Sequence, residues 1–294
     1  MTRRVCVPCL RHGMAQRAGT GAPSNDAPPF ILGAMERRPS FILPHMLQWA
    51  YPVFFRENTM SHPRLLYLIN GNTYAPVSRL AERFEDYGLH VERFWASRDQ
   101  FPQTLDGYAG IVLAGSPHGA YEDIPWIHRE HQLIQQAAAQ GIPMLGICFG
   151  SQILASALCG RDQVFRRSTC EIGYIAHRLT PAAAYDPITA NLRDGVVMFT
   201  WHNDEVRADH ADMQILASTP LCPNQVWKWC RGPAWGIQGH IEVGIDIAAA
   251  WIEESRDVMV SDGADVDALI ASAVDQTMPQ TMLTNFAHYI IARK

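Results

Sequence analysis

A chain of 294 residues that is 48% apolar and 18% charged is composed to bury a substantial core, as one large domain or two small ones. Its net charge of −5 gives no basis for nucleic-acid binding, and no apolar run reaches the roughly eighteen residues of a membrane helix, so neither nucleic acid nor membrane is expected as a partner. Seven cysteines, an odd number without regular spacing, predict a reducing, cytoplasmic setting rather than a disulfide framework.

The charge is uneven. Residues 1–60 hold seven arginines against three acidic residues, a surplus of +4 that leaves −9 to the remainder. This stretch is rich in Arg, Gly and Pro, shows no helix or strand period, and partly fits a transit peptide. Its one apolar segment, FILPHMLQWAYPVFF, is interrupted by Pro44 and Pro52. Cys6 and Cys9 form a CxxC without the second pair that completes a zinc site. Met60 opens MSHPRLLYLINGN, in which a strand follows at once. Residues 1–60 are therefore expected to be a loose extension, or to precede the physiological start at Met60, and residues 61–294 to form the folded domain.

From residue 64 apolar strands alternate with helices. RLLYLIN (64–70) reads as a buried strand, and APVSRLAERFEDYG as a helix with Val77, Leu80, Ala81 and Phe84 on one face and Gly88 at its stop. HVERFWA and GIVLAG (110–115) read as further strands. DIPWIHREHQLIQQAAAQG is a helix with Pro125 in its opening turn and Gly141 at its end. IPMLGI (142–147) is a short apolar strand, and SQILASALCG a helix closed by Gly160. This alternation predicts an α/β fold, an open, mostly parallel sheet with helices on both faces. The second half reads as more β-rich, with strands in VFRRSTCEIGYIAHRLT, GVVMFTWHNDEV, MQILAST, QVWKWC and AWGIQGHIEV, before helices near 246–257 and 264–275.

GICFGSQ (146–152) places Cys148 between Gly146 and Gly150, where a strand turns sharply into a helix. This is the layout of a nucleophile elbow with Cys in place of Ser. The flanking glycines let the backbone pass closely, and the turn lifts the thiol out at the carboxyl end of a strand, where open α/β sheets bind ligands. The helix N-terminus favours thiolate over thiol, and the Phe149 amide is free for an oxyanion. A thiolate nucleophile needs a base, and the base an orienting group. His240 and Glu242 in GIQGHIE supply both, and on a strand they share a face. AGSPHGAYED offers the Ser116 amide as a second oxyanion donor, ahead of Pro117, which has none.

Together GICFGSQ, GIQGHIE and AGSPHGAYED resemble the G-x-C-x-G-x-Q elbow, the G-x-Q-x-H-P-E strand and the oxyanion loop of the class I glutamine amidotransferase family, over roughly residues 64–245. CEIGY and TWHNDEV match stretches found between the elbow and the histidine. The resemblance implies a flavodoxin-like amidotransferase domain. It assigns Cys148 as nucleophile, His240 as general acid–base, Glu242 as orienting carboxylate, Ser116 and Phe149 amides as the oxyanion hole, and Gln152, His202 and Asp204 as contacts of the bound substrate. It implies no metal and no cofactor. The motif set is most similar to the amidotransferase domain of GMP synthetase. Some stand-alone relatives act instead as γ-glutamyl peptidases, and Gly239, where the family often carries an aromatic residue, would open space on the leaving-group side. The expected ligand is glutamine or a γ-glutamyl small molecule. Nucleotide-binding loops such as GxxxxGK[ST] are absent from the sequence, so an ammonia acceptor would belong to a separate synthetase subunit. A non-catalytic binding subunit is the alternative from another class.

Overall fold

The computed structural model describes residues 62–71 and 79–293, so the expectations for residues 1–60 and for Val77 lie outside the described residues. Among the described residues nine strands join in one sheet of order β2-β1-β3-β4-β9-β8-β7-β5-β6. Strands β1 (Arg64–Ile69), β2 (His90–Trp95), β3 (Tyr108–Leu113), β4 (Met144–Ile147) and β9 (Ala234–Ile237) run parallel. On the far side of β9 the sheet continues antiparallel through β8 (Val226–Trp229), β7 (Met213–Ser218), β5 (Val164–Leu179) and β6 (Val196–Val206).

Strand alternation divides the core. On β1, Leu65, Tyr67 and Ile69 point to one face and Leu66 and Leu68 to the other. The first face is covered by α1 (Leu80–Asp86) and α7 (Thr277–Ile291), through Phe84, Leu283 and Phe286. The second is covered by α2 (Pro125–Ala139) and α3 (Phe149–Cys159), through Ile127, Ile134, Phe149 and Ile153. Both faces are dry, which is why the strands of the parallel half read as unbroken apolar runs. Three short helices, α4 (Ile245–Glu254), α5 (Arg256–Ser261) and α6 (Val266–Ala271), form a third cluster on β5 and β6, with Phe199, Trp251, Ile252 and Met259 at its centre.

Two expectations need correction. The last strand stops at Ile237, so His240 and Glu242 lie in the turn between β9 and α4. The C-terminal region holds four helices instead of two. The missed α7 carries Pro279 in TMPQTM, and a proline in the first turn of a helix removes no intrahelical bond. Its Met282, Leu283, Phe286, Ala287 and Ile290 recur at helical spacing and are all buried.

Candidate active site

Register brings the site together. β4 lies beside β9 with Gly146 opposite Gly236 and Ile147 opposite Ile237. Both strands end at one level, and the Cys148 amide donates to the Ile237 carbonyl at 2.8 Å. The chain then turns in opposite ways. After β4 it bends into α3 with Cys148 at φ 54° and ψ −112°, a left-handed-side conformation rare for a residue with a side chain. A Cβ at Gly146 would stand 2.2 Å from the Gly150 carbonyl oxygen, so the elbow closes only with glycine there. After β9 the chain loops to His240, whose amide is fixed by the Phe199 carbonyl at 2.8 Å.

Cys148, His240 and Glu242 are all buried. His240 Nδ1 pairs with Glu242 Oε1 at 2.8 Å, and the ring is packed by Trp251 and Phe199 at centroid distances of 5.1 and 6.1 Å. Burial opposes charge on this imidazole. The Glu242 carboxylate and the sulfur of Cys148, which is hydrogen-bonded to the ring, override it and hold the His240 pKa well above the ordinary histidine range. Cys148 Sγ also reaches the Trp201 carbonyl at 4.0 Å. The third strand end, β3, delivers the loop Ala114–His118. A Cβ at Gly115 would lie 3.6 Å from Cys148 Cβ and 3.7 Å from His240 Cε1, so the loop backbone stands against both side chains.

A cavity of about 310 Å³ opens over the thiol, bounded by Ser116, Pro117, Gln152, Arg166, Trp201 and Asp262 among others. Ser116, Gln152, His202 and Asp204 all line it. Phe149 does not: its ring packs on Trp126 at 5.7 Å in the core, while its amide belongs to the first turn of α3, where N–H groups have no intrahelical acceptor. Gln152 braces the floor, its amide donating to the Asp204 carbonyl (3.2 Å) and to Gln238 Oε1 (3.3 Å). His202 has both ring nitrogens engaged, Nδ1 by the Asp204 carbonyl at 2.7 Å and Nε2 by Glu171 Oε2 at 2.8 Å. It ties β6 to Glu171 of β5. Asp204 is nearly buried; burial raises its pKa, against the pull of Arg166, whose guanidinium is 3.5 Å away.

The ligand-type atoms of Glu171, His202 and Cys222 lie within 4.8 Å of one another, all buried. Both Glu171 oxygens already accept bonds from Thr219 and Gln225, and both His202 nitrogens are bonded as well, so a metal could be held there only by dismantling the network. The five described cysteines are free thiols. Among the described residues no helix is long and apolar enough to cross a membrane.

The family model for class-I glutamine amidotransferases matches residues 72–250, more than half of the sequence. The chain belongs to this family. Its relatives include the glutamine-hydrolyzing GMP synthase of Edwardsiella ictaluri, 33% identical over 186 residues that cover 61% of this chain and 34% of the synthase. They also include a gamma-glutamyl-L-1-hydroxyisopropylamide hydrolase from a Pseudomonas species, 30% identical over 164 residues, 54% of this chain and 56% of the hydrolase. The chain thus spans about a third of the synthase's length and about half of the hydrolase's. Among solved structures, a glutamine amidotransferase from Thermotoga maritima superposes with a TM-score of 0.66 at 25% identity, covering 79% of this chain and 97% of that one.

In this class-I amidotransferase chain, several pocket residues carried no signal in the sequence. Val258 and Asp262 come from the α5 region, beyond the last motif. Asp262 is tied to β6 by bonds from Trp201 Nε1 (2.8 Å) and Asn203 Nδ2 (3.1 Å). Arg166 precedes CEIGY on β5, and only pairing with β6 places it opposite Asp204. Gly239 also differs from expectation. A Cβ there would meet the Phe199 carbonyl oxygen at 3.3 Å and Met198 Cβ at 3.4 Å, so its small size lets the turn pack on β6 and opens nothing toward the cavity.

Proposed function

We propose that this chain hydrolyses a γ-glutamyl C–N bond, with glutamine as the first substrate to test, through Cys148, His240 and Glu242. The observation that carries the reading is the strained Cys148 backbone at the end of β4 beside a buried His240 held by Glu242 at 2.8 Å. Strain of this kind persists where the surrounding structure enforces it and clusters at functional sites.

The chemistry follows from the charge on His240. An imidazole that keeps its proton between a carboxylate and a sulfur is the partner a thiolate needs. Cys148 Sγ attacks the γ-carbonyl carbon, and the oxygen takes up negative charge. In this reading the Phe149 and Ser116 amides are its donors. His240 gives its proton to the departing nitrogen as the C–N bond breaks, leaving a γ-glutamyl thioester. Water then loses a proton to His240 and attacks the thioester, releasing glutamate and restoring the thiolate–imidazolium pair. Glu242 keeps Nδ1 occupied so that Nε2 faces the reaction. Arg166 and Asp204, of opposite charge on one wall, suit the zwitterionic end of a γ-glutamyl group.

A second reading is favoured by the cavity's far wall. Val258 and Asp262 line the same cavity as His240, and on this reading the cavity takes an amine larger than ammonia as the leaving group. The chain would then act as a γ-glutamyl peptidase or amide hydrolase, without a synthetase partner. At about 310 Å³ the cavity is at the small end of small-molecule sites, which run from about 300 to 1,000 Å³. Incubation with glutamine, glutathione and γ-glutamyl dipeptides, with ammonia, amine and glutamate measured separately, tests both. Ammonia from glutamine supports the amidase; faster release from the peptides supports the peptidase. No release from any of them, with the native fold verified, rejects the proposal.

A further inference from the structure

Among the described residues, one carboxyl group is wholly enclosed with no cation beside it. Glu130, on the inner side of α2, is 0% exposed. Its Oε1 accepts a 3.0 Å bond from Nδ2 of Asn70, the residue that follows β1. The same nitrogen gives its other hydrogen to the Ala114 carbonyl at 3.2 Å. That carbonyl can only accept, which fixes which end of the Asn70 amide is nitrogen. Two buried atoms remain unserved, Glu130 Oε2 and Asn70 Oδ1. Both are acceptors while Glu130 is ionised. A proton on Oε2 would turn it from an acceptor into a donor for Oδ1, beside the Nδ2–H bond already made to Oε1, giving the paired bonds of a carboxylic acid and a carboxamide.

We propose that Glu130 is kept as a neutral acid paired with the Asn70 amide, and that this pair is a positioning element that anchors the backbone at Ala114, the root of the loop beside Cys148. Ala114 is doubly tied, its amide to the Leu68 carbonyl at 3.0 Å and its own carbonyl to Asn70. The next residue, Gly115, is the one that stands against Cys148 and His240. The anchoring role rests on the reading of that loop given above; the acid–amide pairing does not.

The surroundings agree. Burial lifts the Glu130 pKa to about 8, opposed only by the Asn70 bond. On α2, His128 and Arg129 turn outward to Asp123 and Asp99. His131, also on α2, bonds Ser156 of α3, and burial pushes its pKa down to about 4. β1 contributes Arg64, which is paired with Glu92, and Tyr67, which lies with Leu65 and Ile69 on the opposite face of the sheet; on β3 the one titratable group, Tyr108, bonds the same glutamate. α3 has no charged residue, only the thiols of Cys148 at its start and Cys159 at its end. Nothing here would compensate a carboxylate.

A carboxyl group whose pKa is higher folded than unfolded retains its proton in the native state after the unfolded chain has lost it. Stability therefore falls as pH rises from the ordinary 4.5 toward about 8 and levels off above. Glu130→Gln has no proton to lose and can make both bonds to Asn70. Melting temperatures of the full chain and of Glu130→Gln between pH 5 and 9 should diverge, the variant gaining on the parent as pH rises and the gap becoming constant above about pH 8. Contributions of His131 and His240 are common to both and cancel. A gap that is flat with pH overturns the neutral acid. For the anchor, Glu130→Leu or, where that variant does not fold, Asn70→Ala should speed amide hydrogen exchange at Ala114–Ser116, while Glu130→Gln should not. On the best substrate, the apolar variant should lose kcat by at least about tenfold with a smaller change in KM. Unchanged exchange in that loop overturns the anchoring. A parent protein that cleaves no γ-glutamyl compound would remove the functional reading, and the melting and exchange comparisons would still decide this one.

Discussion

Adding one methyl group at Gly150 tests whether the elbow is a machine part or a packing accident. Gly150 faces β3, and a Cβ there would sit 2.1 Å from the Leu113 carbonyl oxygen and 2.7 Å from its carbon, where ordinary contact begins at 3.4 Å. The obstacle is backbone, so no side chain can swing away. In Gly150→Ala, α3 must lift from β3 by about 1 Å or more, and Cys148 travels with its first turn. Overpacking of this kind costs about 1–3 kcal/mol. At roughly 2–4 °C per kcal/mol for a domain of this size, the melting temperature should fall by about 2–12 °C. The rate should suffer more, because a displacement of about 1 Å from attack geometry is worth about 10²-fold. Gly141→Ala is the control. Gly141 has φ +67° with nothing within 4 Å, so alanine there costs about 1–2 kcal/mol of backbone strain far from the thiol. Differential scanning fluorimetry and steady-state hydrolysis on the preferred substrate compare the two. A Gly150→Ala protein as active as Gly141→Ala would refute the claim that this corner aims a nucleophile.

Cys148→Ala should abolish hydrolysis while leaving the fold intact, and Cys159→Ala and Cys230→Ala should not; product assays on all three check this. Glu171→Ala strips acceptors from His202, Thr219 and Gln225 in the interior and should cost about 3–5 kcal/mol in a denaturant titration, the loss typical of a broken buried pair. Deleting residues 1–59 should leave melting temperature and activity unchanged, because that stretch has no period able to pack on the sheet; a large fall in melting temperature would show that FILPHMLQWAYPVFF docks on the domain.

The parallel half was legible because its elements are punctuated and periodic. IPMLGI and GIVLAG are apolar without interruption because both faces of the sheet are covered, and Gly88, Gly141 and Gly160 do stand at helix ends with positive φ. Elbow and loop were legible for a local reason: glycines and a proline at fixed offsets encode turns. Motif order alone did not say how Cys148 meets His240. That contact comes from β4 and β9 being neighbours, and β9 is ninety residues away in the chain. The reading of HIE as strand alternation failed because the two-residue spacing is met equally well by a turn, here closed by a bond from the Val243 amide to the His240 carbonyl. His202 lines the cavity, but its partner Glu171 lies on another strand, so the bonds that brace its ring were invisible in the sequence. The far wall of the cavity was missed for the same reason, since α4 to α6 contain no turn motif or paired charge that points to the thiol, and only their apolar faces fold them over β6.

The central claim is a γ-glutamyl thioester on Cys148, and the direct measurement is to trap it. Protein mixed with its best substrate is quenched in acid within the first turnovers and mapped by peptide mass spectrometry. The account predicts the mass of one γ-glutamyl group on the peptide containing Cys148, and its loss when His240 is replaced by Ala, because the same imidazole serves the step that forms the thioester. Burial holds the pKa of Cys159 and Cys170 at about 12 and pushes that of Cys222 higher still, so these thiols should stay unmodified. An adduct on another cysteine, or steady hydrolysis by the Cys148→Ala protein, would contradict it.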